Sequence, residues 1–160
     1  GIVLLGVVLA MTGTLWHTQS RREKEQELLF AGEQYRKAIA SYRAIVVDGQ
    51  QRFPISLDEL LEDRRFPRPL RHLRKRYLDP VTNSADWGFV RSGEGIAGVF
   101  SRSSEAPLKK AGFRACCVQF SGARSYADWK FAVAAGAGPA PRGPGAPVPR
   151  RPGATPQPRR

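Results

Sequence analysis

From Gly1 to Val47 the chain carries two hydrophobic patterns end to end, with no proline and no cluster of turn residues between them. Residues 1–11 are uncharged and nearly all aliphatic, Thr12 to Trp16 extend that run, and the first charge is Arg21. Farther along, Leu28, Gly32, Tyr35, Ile39, Tyr42 and Val46 recur at alternating steps of four and three, which places them on one stripe of a helix. Glu23, Lys24, Glu25, Glu27, Glu33, Arg36, Lys37 and Arg43 fall mostly off the stripe. Gly6 and Gly13 interrupt the apolar part, but neither is followed by loop residues. The pattern predicts one continuous helix over residues 1–47, stopped by Asp48-Gly49 with the glycine just past the last turn. At about 1.5 Å per residue that rod is roughly 70 Å long, about twice the thickness of a bilayer. Its lower half must therefore stand in water with the stripe covered by something.

The upper half has the character of a membrane anchor. A span needs about 20 apolar residues, and residues 1–16 fall short of that. The chain opens on glycine already inside the apolar segment, so the expectation is that the full segment extends upstream. A secretory signal is the competing reading. No small-x-small cleavage site precedes the polar region, however, and the amphipathic ring of Trp16 suits the headgroup level of a bilayer. Residues 1–19 are accordingly expected to be membrane-embedded, with Ile2, Leu5, Val8, Leu9 and Trp16 facing lipid or neighbouring helices.

After Gly49 the pattern changes. In "RFPISLDELLED", Ser56 followed by Glu59 is a capping-box spacing that predicts a short helix through Glu62, with Leu57, Leu60 and Leu61 turned inward. Pro67, Pro69 and Pro80 exclude long regular structure in the next stretch. Four short runs of aromatic or β-branched residues follow at 87–90, 96–100, 116–120 and 128–133, bounded by Gly, Ser, Asn or Pro, and each reads as a strand. Residues 92–95 form a hairpin loop, and such close spacing requires antiparallel pairing. The expected fold is α+β: a long amino-terminal helix packed through Leu28, Tyr35, Ile39 and Tyr42 on a small antiparallel sheet, with a head spanning residues 20–133.

Composition changes the picture at the carboxyl end. Residues 139–160 hold eight prolines, five arginines and no acid, which predicts a disordered basic tail over 134–160. Without those five arginines the formal charge falls from +12 to +7. The remaining positive charge is concentrated in 64–76, where seven of thirteen residues are Lys or Arg. Such a run with aromatics nearby can grip phosphates, so Arg65, Arg68, Arg71, Arg74, Lys75 and Arg76 are candidate nucleic-acid contacts, although no base-reading motif accompanies them.

Candidate chemistry is otherwise sparse. Cys116 and Cys117 are adjacent, without a CxxC or a histidine cluster, so no zinc site or disulfide framework is indicated. A pair of small buried hydrophobes on a strand, a vicinal disulfide and an intermolecular bridge all stay open. His17 lies at the end of the apolar segment and His72 in the basic run, neither with an evident carboxylate or nucleophile partner. No nucleophilic arrangement and no phosphate loop is visible, and the chain is not expected to be an enzyme.

The order of these features resembles the type IV pilin-like family, particularly the pseudopilins of type II secretion systems. "REKEQELLFAGEQYRKAIASYR" is similar to the amphipathic half of a pseudopilin first helix, and "SYADWKF" to the closing strand of its head. "FPISLDELLEDRRFP" followed by "RHLRKRYLDPVTNSADWGFV" resembles the run from a short leucine-containing helix through Tyr-Leu-x-Asp-Pro to a first strand. The likeness covers residues 1–133. It departs at the amino terminus, where the family has a processing site and a glutamate at the fifth mature residue; position 5 here is Leu5. It departs again near the carboxyl end, where major pseudopilins carry an acidic calcium-binding loop. Residues 107–128 contain one acid, Asp128, read as a strand-edge carboxylate, so no calcium or other cofactor is transferred.

The resemblance implies assembly without chemistry. Subunits anchored in the inner membrane with a periplasmic head would be extracted by an assembly platform and packed with other pilin-like subunits into a short filament for protein secretion. Two alternatives stand beside it. One is a DNA-binding pilin-like protein of an uptake system. The other is a generic single-span protein with a cytoplasmic domain, toward which Arg21, Arg22 and Lys24 lean as positive charges directly after the span.

Overall fold

The computed structural model describes the backbone of residues 2–134 and the side chains of residues 16–134. The expected tail lies outside the described residues, as do the side chains of Ile2, Leu5, Val8 and Leu9. The architecture is α+β. Helix α1 runs from Ile2 to Ala44 without interruption, and a single turn, α2, covers Asp58–Leu61. Strands β1 (Gly88–Ser92), β2 (Gly95–Phe100) and β3 (Phe131–Ala132) form one antiparallel sheet in that order. Between β2 and β3 the chain makes two 3₁₀ segments, Ala115–Phe120 and Tyr126–Asp128.

The stripe on α1 is the seat of the core. Leu28, Tyr35, Ile39 and Tyr42 are completely buried, with Ala31 and Ala38 filling the positions between them. They pack on β2 and β3, and β2 is buried along both faces as the middle strand. Gly32 lets the sheet approach: a Cβ there would run into the ring of Phe131 on β3. Phe131 continues into an aromatic layer with Phe113, Phe120 and Trp129, in which Phe120 and Trp129 stack at 5.6 Å and the other contacts are edge-on.

The helix ends three residues earlier than its periodicity suggests, and Val46 is 54% exposed. The reason lies in the residues that predicted the stop. Asp48 and Gly49 both take positive φ, 53° and 75°, and serve as the two central residues of a tight turn bracketed by reciprocal Val47–Gln50 hydrogen bonds of 3.0 Å. That is the hairpin use of Asp-Gly and not its use as a helix cap. A second tight turn, Gly93-Glu94, joins β1 to β2 in register Ser92↔Gly95, with Gly93 at φ 62°, as expected from the sequence.

Three local expectations are corrected. Residues 116–120 are 3₁₀ helix and not a strand, because the segment turns to bury Cys117 and Phe120 together while leaving Val118 exposed. The last strand is confined to Phe131–Ala132, and Asp128 lies before it in the 3₁₀ turn. Ser56 does not cap α2, whose preceding residue is Leu57 with no side-chain cap; the Glu59 carboxylate instead accepts from the Ile55 N–H and the Tyr42 hydroxyl. The reciprocal capping box sits elsewhere, between Ser125 and Asp128.

Replacing Ile39 by Asp is expected to cost several kcal/mol, since it buries a charge with no partner. Gly32→Val should cost about 1–3 kcal/mol through overpacking against Phe131. Urea unfolding of the full chain in maltoside micelles, followed by emission of the buried Trp87 and Trp129, reads both.

Candidate functional site: the clamped face of the long helix

The head holds α1 by polar contacts at three levels as well as by its stripe. The upper clamp is built on Glu25, 3% exposed in spite of its charge. Its carboxylate accepts from the Tyr126 hydroxyl at 2.8 Å and from the backbone N–H groups of Leu108 and Lys109, so one helical residue gathers the loop after β2 and the 3₁₀ turn. One turn higher, Arg21 donates to the Ala106 carbonyl at 2.9 Å. Burial, reinforced by the hydrogen bond to Glu25, pushes the Tyr126 phenol up to about 12.

Midway down, the Tyr35 hydroxyl donates to the Tyr77 carbonyl at 3.0 Å and accepts from the Tyr77 N–H at 3.1 Å. Trp87 Nε1 donates to the same carbonyl at 2.9 Å. The residues that follow form a turn organised by Asp79, fully buried, whose carboxylate accepts from Val81 N–H at 2.9 Å and from the Ser101 hydroxyl at 2.5 Å. The Tyr-Leu-Asp-Pro stretch is therefore a junction between the middle of α1 and the end of β2.

The lower clamp lies at the end of α1. Arg65 reaches back to donate to the Tyr42 carbonyl at 3.1 Å, one of the last-turn carbonyls that the helix itself cannot satisfy. Its guanidinium lies 3.7 Å over the Tyr42 ring and grips Asp63 through Nε at 2.8 Å and Nη2 at 2.6 Å. Those charge-assisted bonds, with a further one from His72, hold the Asp63 carboxyl well below the usual carboxylate range. Arg65 Nη1 is buried without a hydrogen-bond partner, and among the described residues Asp63 is the only acid in bonding contact with this guanidinium.

The lower clamp corrects the expectation that His72 has no partner. His72 Nε2 lies 3.1 Å from Asp63 Oδ2, and Nδ1 lies 2.8 Å from Ser41 Oγ. With the proton on Nε2 the ring donates to Asp63 and accepts from Ser41. The order Ser–His–Asp has the composition of a hydrolytic triad, but its geometry suits packing. The carboxylate is neutralised by the bidentate Arg65, and Ser41 is inside α1, where neighbouring N–H groups are committed to the helix ladder and offer no oxyanion site.

Of the basic run, Arg65 is turned inward, its side chain 9% exposed, and so is removed from any phosphate-binding face. Arg68, Arg71, Arg74, Lys75 and Arg76 are exposed, Arg76 pairing with Asp58 at 3.1 Å. Trp16 is 80% exposed.

Cys116 and Cys117 form a vicinal disulfide in the 3₁₀ segment, one of the alternatives left open by the sequence. Glu33 lies beside them, and among the described residues these three are the only group of metal-ligating type. The sulfurs are bonded to each other, and Glu33 is held by Arg36 through two hydrogen bonds of 2.6 and 2.8 Å. Asp128 accepts from the N–H groups of Arg124 and Ser125, and those bonds keep its carboxyl below the usual range. It is a turn cap and not a strand-edge carboxylate.

Asp63→Ala is expected to destabilise the head by about 3–5 kcal/mol, because it leaves Arg65 buried without its counter-charge. Since Asp63 is depressed in the folded state, its contribution is present above pH 4 and is lost as pH falls below that value; urea midpoints at pH 7, 4 and 3 measure it. Tyr126 acts at the other end of the scale. The unfolded phenol ionises near 10 and the folded one near 12, so stability declines as pH rises between those values, and Tyr126→Phe should flatten that decline.

Among the described residues no helix is long and apolar enough to cross a membrane. Compared with protein-family models, curated proteins and solved structures, the chain matches none.

Proposed function

We propose that this chain is a pseudopilin-like structural subunit that assembles with other pilin-like subunits through its amino-terminal helix. The observation that carries the reading is the continuity of α1 from Ile2 to Ala44, with its buried stripe running from Leu28 to Tyr42. Burial begins at Arg21 and Glu25, and residues 16–20 are exposed. The helix continues well above its buried stripe, and the uncharged sequence of residues 2–15 suits lipid or the sides of identical helices.

The order of elements along the chain also supports it: a long helix, a short leucine-bearing turn, the Tyr77–Pro80 junction, then the hairpin. The vicinal disulfide favours an oxidising compartment for the head, which agrees with a periplasmic position better than a cytoplasmic one. In this reading the subunit is stored in the inner membrane and then extracted into a periplasmic filament of a secretion or pilus-related machine. Lipid contacts of the upper helix are exchanged for helix–helix contacts, with Gly6 and Ala10 allowing close approach. Lower down, Phe30 is 57% exposed and only edge-on to Tyr77, so it offers apolar surface for a neighbouring rod.

A photo-crosslinking residue in place of Leu9, in cells expressing the full reading frame, should give a ladder of covalent oligomers. The same probe at Val118, exposed on the head, should give far less. Monomer alone from the Leu9 probe would reject filament assembly through this helix.

A further inference from the structure

Beside the upper clamp lies a groove of about 610 Å³ between the top of the gripped helix and the loop after β2. Four cationic or protonatable side chains line it: His17, Arg21 and Lys24 from α1, and Lys110 from the loop opposite. His17, Arg21 and Lys24 are spaced four and three apart, so they share one helix face. Arg21 is pre-oriented by its bond to the Ala106 carbonyl. Neither Lys24 nor Lys110 has an ion-pair partner among the described residues. Glu105 is the only acid lining the groove; its side chain is 64% exposed and stands 3.9 Å from Arg21. The apolar part of the wall comes from Val81 and Leu108, the latter 37% exposed.

We propose that this groove binds the headgroup of an anionic phospholipid. The inference rests on the anchored-helix reading, because it takes the occupant from where the groove sits. His17 directly follows Trp16, where the apolar run gives way to polar residues. From His17 to Lys24 the helix rises about 10 Å, close to the headgroup layer of roughly 5–8 Å on each side of the hydrocarbon. An anchored chain therefore holds its unpaired lysines at the depth where lipid phosphates are fixed and concentrated. Arg21 supplies a planar fork for phosphate oxygens, while Lys24 and Lys110 act as point charges on either side. Leu108 lies where the glycerol of such a lipid would meet the protein. A neutral zwitterionic headgroup carries its own ammonium and would be held far less well.

The test has two parts, so that the anchor and the site can fail separately. First, the full chain is mixed with phosphatidylcholine vesicles and floated; anchoring requires that it rise with them. Second, the full chain in maltoside micelles is titrated with dihexanoylphosphatidylglycerol, dihexanoylphosphatidylcholine or inorganic phosphate, while the amide resonances of Lys24, Leu108 and Lys110 are followed. The glycerol lipid should give saturable shifts, and the other two should not. Lys24→Ala with Lys110→Ala should weaken binding roughly 25-fold, about fivefold per lysine. Lys37→Ala with Arg71→Ala removes the same charge from exposed sites elsewhere and should leave binding unchanged. Equal response to both lipids, equal response to inorganic phosphate, or no difference between the two double variants would overturn the site while leaving the anchor intact. A chain that fails to float rejects the anchor, and the lipid site falls with it.

Discussion

Burial of one helical stripe is the constraint on which the structure depends. A three-stranded sheet with a two-residue edge strand has too little surface to form a core alone, since strands this few need a helix or a second layer against them. The stripe from Leu28 to Tyr42 supplies that layer, and the aromatic side chains of the head close over it from the other side. Because α1 belongs to the core, the sheet cannot be loosened from the helix without exposing both. Head and rod are for this reason one cooperative unit from Glu25 downward.

So small a sheet leaves many loop backbone groups without strand partners, and the clamps provide them. The residues involved are not those expected in a core. Tyr35 rather than Phe is needed because its hydroxyl satisfies both backbone groups of Tyr77. Glu25 is buried because two loop N–H groups and a phenol converge on it. Arg65 is folded inward because α1 ends with an unsatisfied carbonyl at Tyr42 and Asp63 can share the charge. Each buried polar group is tied to a different loop, so together they fix where those loops sit along the helix.

This division explains what was legible in the sequence. The stripe was readable because helical periodicity and burial coincide at Leu28, Tyr35, Ile39 and Tyr42. The β1–β2 hairpin was readable because its glycines satisfy a local turn. The clamps were not, since nothing in the neighbourhood of Glu25 or Arg65 separates a buried charge from the exposed ones around it. The same holds for His72, whose partners Asp63 and Ser41 are nine and thirty-one residues away. Asp48-Gly49 misled because the pair serves helix ends and hairpin turns alike, and the choice fell to the Arg65 side chain capping the helix earlier. The 116–120 segment misled because its apolar composition fits a strand, whereas the adjacent cysteines pair with each other in a 3₁₀ turn.

The placement of the clamps bears on how such a rod could work. In the proposed reading the subunit would be drawn from a bilayer into a filament along its helix axis, and the load would reach the head wherever the head is fixed to the helix. A purely apolar stripe resists separation but is tolerant of sliding, because hydrophobic contact has no direction. Hydrogen bonds are directional and short-ranged, so the Glu25, Tyr35 and Arg65 contacts oppose axial slip at three levels of α1. The upper clamp lies between the exposed residues 16–20 and the buried stripe. Axial force on the upper helix would be met there first, by a carboxylate that ties the rod to the loop after β2 and to Tyr126, and through these to β2 and β3.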